Sequence, residues 1–324
     1  MELSHRPRRN RTTAYVRDLV RENHLRIEDL ILPIFVTESN QEEIPSMPGV
    51  YRHNEDRLSE FLQEAVSLGI RAIAPFPAIA DSLKNSTGTE SINPDGLYLR
   101  TIRKIKQRFP DLVIFSDVAL DPYSSDGHDG ILSEEGLILN DETLELLAEM
   151  SVAQARAGAN FVAPSDMMDG RVAFIRQALD DEGFTDTGIL SYCAKYASAF
   201  YGPFRDALQS APRSGDKKTY QMDPANVREA LREYELDLQE GADIVMVKPG
   251  LPYLDVVRAL AEVSELPVAV YNVSGEYAML KAAAAAGWLD YRAVVMESLL
   301  GMKRAGANII LSYHAMEVAR WLQD

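Results

Sequence analysis

Eight short apolar runs, rich in β-branched and aromatic residues, alternate along the whole chain with charged segments of helical period. The runs occupy residues 30–36, 72–77, 112–120, 160–165, 188–197, 243–250, 267–275 and 308–314. The intervening segments are amphipathic: 141–157 places Leu144, Leu147 and Ala148 on one face, and 290–305 does the same with Val295, Leu299 and Met302. Three junctions repeat one design, Gly158-Ala159-Asn160, Gly241-Ala242-Asp243 and Gly306-Ala307-Asn308. A glycine there supplies the left-handed residue that ends a helix before the next strand. Strands alternating with helices pair in parallel, and eight of them close into a (β/α)8 barrel. The competing open, doubly wound sheet is disfavoured because no G-x-G-x-x-G follows any strand.

Two excursions break the alternation. Residues 198–221 follow the fifth strand and mix Gly, Pro and Ser with Phe200, Tyr201, Phe204, Arg205, Lys217 and Tyr220. Loops this long are usually functional or disordered, and the aromatic content favours an active-site lid. Residues 121–140 follow the third strand, so both excursions belong to the C-terminal mouth of the barrel, where such folds carry chemistry.

Composition narrows the partners. The 324 residues carry 33 Lys+Arg against 49 Asp+Glu, a formal net charge of -16, which disfavours binding to nucleic acid or an anionic membrane. The length allows two domains, but one α/β barrel also accounts for it. No stretch approaches the ~18 apolar residues of a spanning helix. A single cysteine, Cys193, excludes an internal disulfide and a cysteine metal cage. A soluble, unprocessed, cytoplasmic protein is the expectation.

The candidate chemistry starts with two lysines at the ends of neighbouring strands. Lys195 closes Ser191-Tyr192-Cys193-Ala194-Lys195 and Lys248 closes Ile244-Val245-Met246-Val247-Lys248. By a period of two, Lys195 shares a face with Cys193 and Ser191, and Lys248 with Met246 and Ile244. If both faces point inward, the two ammonium groups depress each other's charge, and at least one amine becomes neutral enough to form an imine with a carbonyl. A single such lysine more simply snorkels into solvent; the pair favours function. Asp117, Ala119 and Asp121 share a face of the third strand. Asp121 and Asp129, with His128 nearby, form either a hard-oxygen cation site or a loop of turn-capping aspartates. Ser274-Gly275-Glu276 enters a helix beside Tyr313, and Arg205 and Lys217 lie on the lid, so two anion pockets are expected, one per lysine. Taken singly, these residues have bland readings as an N-cap, a buried tyrosine and a basic loop.

The strings Ser191 to Ser198, Tyr201-Gly202-Pro203-Phe204-Arg205-Asp206-Ala207, Tyr220-Gln221-Met222, Met246-Val247-Lys248-Pro249 and Val273-Ser274-Gly275-Glu276-Tyr277 resemble the porphobilinogen synthase (δ-aminolevulinic acid dehydratase) family from Arg6 to the C-terminus. The resemblance implies a (β/α)8 barrel over 26–324 with an extended N-terminal arm over 1–25. It implies condensation of two 5-aminolevulinate molecules to porphobilinogen with loss of two waters, in tetrapyrrole biosynthesis and without an organic cofactor. Lys248 would form the Schiff base with the substrate that becomes the propionate side, and Lys195 with the other. Ser274 and Tyr313 match the residues for one carboxylate; Arg205, Lys217 and Gln221 match those around the second substrate; Phe204 would close with the lid.

On metals the resemblance is informative where it fails. The zinc-dependent branch has three cysteines where this chain has Ala119, Asp121 and Asp129, so no zinc is expected, and the chain resembles the Mg²⁺-stimulated branch. Glu229, Glu233 and Asp237 form an acidic stripe interleaved with Arg228 and Arg232 on the helix expected over 223–240, in plain terms a solvated face with local ion pairs. The family match makes Glu233 an allosteric Mg²⁺ ligand, and makes Arg6, Arg8, Arg9 and Arg11 part of an arm that wraps a neighbour in a homo-octamer; without it they read as a frayed terminus. A class I aldolase-like lyase needs only one imine lysine, and a non-catalytic scaffold needs none, so the paired lysines argue against both alternatives.

Overall fold

A computed structural model describes residues 3–210 and 212–324; Met1 and Glu2 of the expected arm and Ala211 of the expected lid lie outside the described residues. All eight apolar runs form strands, within three residues of the expected ends: β1 (Leu30–Thr37), β2 (Ala72–Ala78), β3 (Val113–Val118), β4 (Phe161–Pro164), β5 (Gly188–Lys195), β6 (Ile244–Lys248), β7 (Val268–Asn272) and β8 (Ile309–Ser312). Neighbours in sequence pair in parallel, and β8 pairs with β1, with Leu30 opposite Ile310, so the sheet closes into a barrel. Helices fill every crossover: α1 (Glu55–Ser67), α2 (Leu97–Arg108), α3 (Asn140–Ala157), α4 (Arg171–Asp181), α5 (Arg228–Glu240) and α6 (Leu254–Val263), then α7 (Ser274–Ala285) and α8 (Tyr291–Ala305) between β7 and β8, with α9 (Ala315–Gln323) closing the chain.

The core has two shells, as the pleat requires. Ile31, Phe35, Phe76, Phe115, Leu190, Met246 and Leu311 fill the barrel, while Leu32, Ile73, Ile114, Val162, Ile189 and Val245 pack outward beneath the helices. Gly158, Gly241 and Gly306 end α3, α5 and α8 at φ 110°, 101° and 119°, the left-handed positions that the repeated junction demands.

Two local expectations are corrected. Helix α5 begins at Arg228 and not at Asp223, because the Asp223 carboxylate accepts the amide of Ala225 at 2.9 Å and holds that segment in a turn. Strand β5 also breaks the period of two. Ser191 and Cys193 point outward, Ser191 onto Asp237 of α5 at 2.5 Å. The register against β6 shifts between Val245 and Val247, a bulge that turns Lys195 inward, directly opposite Lys248.

Residues 3–24 are exposed with two half-buried exceptions, and neither the turn at Pro7–Arg11 nor the helix at Ala14–Leu19 buries a side chain. No helix among the described residues is long and apolar enough to cross a membrane.

Candidate active site

Lys248 leaves the end of β6 into an aromatic cage. Its Nζ lies 4.6 Å from the ring centre of Tyr271, 5.0 Å from Phe204, 5.1 Å from Tyr192 and 5.3 Å from Tyr201. Tyr192 and Tyr271 come from inward positions of β5 and β7, whereas Tyr201 and Phe204 come down from the lid. Burial, and after it the Lys195 charge, push the Lys248 amine down to about 7 against the opposing pull of Asp117, Asp121 and Asp129. A lysine here is therefore partly neutral near pH 7, as an imine-forming amine must be.

Lys195 sits in a different environment. Its Nζ donates to the Ser165 carbonyl and to Asp129 Oδ2, the latter at 3.3 Å. Asp129 also accepts Lys217 Nζ at 2.9 Å and Gln221 Nε2 at 3.3 Å, and Lys217 Nζ lies 3.4 Å from Asp121. The two ammonium groups hold the Asp129 carboxyl well below the usual range, against its burial, whereas burial raises that of Asp121. Asp121 and Asp129 thus take ammonium partners, an outcome that neither the cation nor the turn expectation contained. Among the described residues, no group of three or more His, Cys, Asp or Glu is arranged to hold a metal ion. His128 ties the two excursions together, with Nδ1 3.1 Å from the Tyr220 hydroxyl and Nε2 3.0 Å from the Ser214 carbonyl.

The lid lies closed. Residues 198–210 form a turn at Ala199–Tyr201 and a short helix at Gly202–Leu208, latched by Arg52, which donates to the Ala207 carbonyl at 2.6 Å and the Asp206 carbonyl at 2.7 Å. Ser274 Oγ accepts the Phe204 amide at 3.0 Å. At Gly275 a side chain has no room, since a Cβ there would stand 2.4 Å from the Phe200 carbonyl oxygen. The Tyr313 hydroxyl is 2.8 Å from that of Tyr271 and its ring stacks on Phe35 at 5.8 Å, so Ser274 and Tyr313 flank the Lys248 cage as expected. Arg205 is half-buried on the lid helix and forms no ion pair among the described residues.

Glu233 stands apart from this site, half-buried on α5. The stripe it belongs to faces inward and not to solvent: Asp237 is buried and receives Arg171 Nη2 at 3.2 Å, while Arg228 and Arg232 are exposed and unpaired among the described residues. Burial, with Asp237, Asp169 and Glu229 as acidic neighbours, pushes the Glu233 carboxyl up to about 7 despite Arg171.

Reading the sequence missed several parts of the site. Asp117 was placed on its face but given no role; it is enclosed in the barrel, its carboxyl pushed up to about 7 by burial and by Asp121. Tyr192 and Tyr271 of the cage, the Ser165 carbonyl and the Arg52 latch were also missed, and Tyr201 was read only as part of the lid. A period-two reading of β7 would have found Tyr271, which alternates inward with Ala269. The others depend on contacts between distant segments.

Comparison with known proteins agrees with this geometry. A family model described as delta-aminolevulinic acid dehydratase matches residues 4–321. The chloroplastic delta-aminolevulinic acid dehydratase of Chlamydomonas reinhardtii is 55% identical over 332 residues, covering 99% of this chain and 85% of that protein. That of Physcomitrium patens is 56% identical over 322 residues, covering 98% of this chain and 74% of its own. The crystal structure of the Toxoplasma gondii ME49 enzyme in complex with the reaction product porphobilinogen superposes with a TM-score of 0.97 at 54% identity, covering 98% of this chain and 92% of that one. The expectation of a cytoplasmic location is overturned by the relatives, which are named as chloroplastic. Scarce cysteine reports a reducing environment and does not distinguish one reducing compartment from another. With barrel, paired lysines and lid all in place, the chain belongs to the delta-aminolevulinic acid dehydratase, or porphobilinogen synthase, family.

Proposed function

We propose that this chain condenses two molecules of 5-aminolevulinate into porphobilinogen with Lys248 and Lys195 as the imine-forming amines. The observation that carries the assignment is the face-to-face placement of the two lysines, Lys248 opposite Lys195 in register, in unlike surroundings. In each imine the Nζ replaces the ketone oxygen, which leaves as water. The protonated imine nitrogen then accepts the electron density that develops when the adjacent carbon loses a proton and attacks the second substrate. Asp117, buried among the lysines with a carboxyl poised near neutrality, is the proton acceptor we assign. The Lys248 substrate places its carboxylate at Ser274 and Tyr313. The second substrate's carboxylate meets Arg205, whose guanidinium forms no ion pair among the described residues, with Lys217 and Gln221 beside it. Phe204 and the closed lid exclude the water that would hydrolyse both imines.

Lys195 and Lys217 fill the carboxylates of Asp121 and Asp129, which we read as an ammonium clamp standing where zinc-dependent relatives need thiolates. Glu233, with Asp237, Asp169 and Glu229 as acidic neighbours and Arg171 opposing them, is the carboxylate we assign to Mg²⁺, a cation that keeps most of its waters. Bound there, Mg²⁺ would supply charge that stabilises one assembly, remote from the lysines. Self-association, as the homo-octamer that the family resemblance implies, is our reading; the exposed arm, with Tyr15 and Leu19 each 84% exposed, offers apolar side chains for a neighbouring copy to cover. The direct test is incubation with 5-aminolevulinate and an assay for pyrrole. Product is expected from the parent protein and none from Lys248→Met; full activity in that variant would overturn the assignment.

A further inference from the structure

Glu276 is buried completely, yet among the described residues it has no cationic partner. Four donors from two segments occupy its two oxygens, though burial still pushes the carboxyl up to about 7. Oε1 accepts the Leu251 amide at 2.5 Å and Asn272 Nδ2 at 3.3 Å; Oε2 accepts the Val273 amide at 2.6 Å and the Gly250 amide at 3.3 Å. Gly250 and Leu251 follow Lys248 by two and three residues, and Glu276 itself follows Ser274 by two. One carboxylate therefore ties the segment carrying the imine amine to the segment carrying the anion-binding hydroxyl.

The tie continues into the eighth strand. Asn272 Oδ1 accepts the Ser312 hydroxyl at 2.9 Å, and Ser312 Oγ accepts the His314 amide at 3.2 Å, which spans Tyr313. The Lys248 loop also has little slack: a Cβ at Gly250 would stand 2.7 Å from Met302 Cε and 3.2 Å from the Tyr271 carbonyl. A buried carboxylate held only by neutral donors is costly in itself, so its retention in a site-forming loop calls for a positional role.

We propose that Glu276 is a positioning residue that fixes the span between the Lys248 amine and the Ser274–Tyr313 pocket, and so sets the carbon-chain length of the keto acid bridging them. The inference rests on the reading of Lys248 as an imine lysine. Misplacing a reacting group by about 1 Å can lower a rate by about a hundredfold. The amide of Glu276→Gln keeps the volume but offers one acceptor oxygen and turns an NH₂ towards backbone donors.

The test compares borohydride trapping on Lys248 and Lys195 in the same sample, with 5-aminolevulinate, with 4-oxopentanoate and with 5-oxohexanoate, which has one more methylene between ketone and carboxylate. In Glu276→Gln, trapping at Lys248 should fall about ten- to a hundredfold, the scale set by a charge-assisted hydrogen bond. Trapping at Lys195 should stay within about twofold of the parent, and the preference of Lys248 for 4-oxopentanoate over 5-oxohexanoate should shrink by about tenfold. Parallel loss at both lysines, or an unchanged chain-length preference, would overturn the proposal. If Glu276→Gln fails to fold, Glu276→Asp keeps the charge, withdraws it by one methylene and should show the same selective loss. A parent protein that gives no Lys248 adduct would refute the underlying assignment, whereas a normal parent adduct with an indifferent Glu276 variant would refute this inference alone.

Discussion

Replacing Gly275 by alanine asks whether the closed lid depends on backbone proximity. Gly275 is the second residue of α7, and its missing side chain lets the lid lie against it. A Cβ would meet the carbonyl oxygen, Cα and carbonyl carbon of Phe200 at 2.4, 2.8 and 2.9 Å. All three are backbone atoms, so no rotamer change relieves the overlap and the lid segment itself must lift. Overpacking of this kind costs about 1–3 kcal/mol. Converted at about 1.4 kcal/mol per decade, the ratio of closed to open lid falls by roughly 5- to 150-fold. Without the lid contact the sign reverses, because Gly→Ala in a helix stabilises it by about 0.5–1 kcal/mol. Two assays read the outcome, kcat/KM for pyrrole formation and the rate of tryptic cleavage within 198–221. The geometry predicts a fall in kcat/KM of up to that factor and faster cleavage. A variant with parental kinetics, a lid as resistant as before and a higher Tm would refute the reasoning.

Other consequences can be checked separately. Trapping at Lys248 should follow an ionisation near pH 7, with about half of the amine neutral at pH 7, against about one in 2,500 for an ordinary lysine at the same pH; a dependence that rises only towards pH 10 would contradict the cage. Asp129→Asn leaves Lys195 without its carboxylate partner and should cost about 3 kcal/mol in chemical unfolding, the low end for a broken buried pair because Asp121 still faces Lys217. Since the Asp129 pKa is depressed, the stability gap between parent and variant should be full above about pH 4 and close as the pH falls towards its folded-state value; a gap that does not depend on pH would refute the pairing. Glu233→Ala should retain both lysine adducts and lose Mg²⁺ stimulation, an effect of several-fold to roughly a hundredfold, and superimposable Mg²⁺ titrations of activity would return Glu233 to an ordinary surface role.

The barrel was legible because each strand is a short apolar run bounded by polar residues, and because the glycines after α3, α5 and α8 mark the same turn three times. Periodicity failed where the chain is irregular. The bulge in β5 carries no spacing signal, and a period of two put Lys195 on the face of Ser191 and Cys193, which point away from the site. The presence of both lysines at strand ends was nevertheless visible, since a strand end is set by where the apolar run stops. Asp121 and Asp129 show a different limit: carboxylates on a loop suit a metal, a turn or a lysine equally well. Their partner Lys217 lies 88 residues beyond Asp129, a pairing that only the folded lid brings about. The inward turn of Asp237 escaped for the same reason, because the buried guanidinium that receives it belongs to α4.

The central claim is that this barrel holds two imine-forming lysines that act on the same pair of substrates. Adding 5-aminolevulinate to the parent protein, reducing with borohydride and mapping the modified peptides tests it most directly. The account predicts adducts on the peptide containing Lys248 and, as the second site fills, on the peptide containing Lys195. Adducts confined to Lys217, Lys218 or other lysines, with Lys248 and Lys195 unmodified, would contradict it.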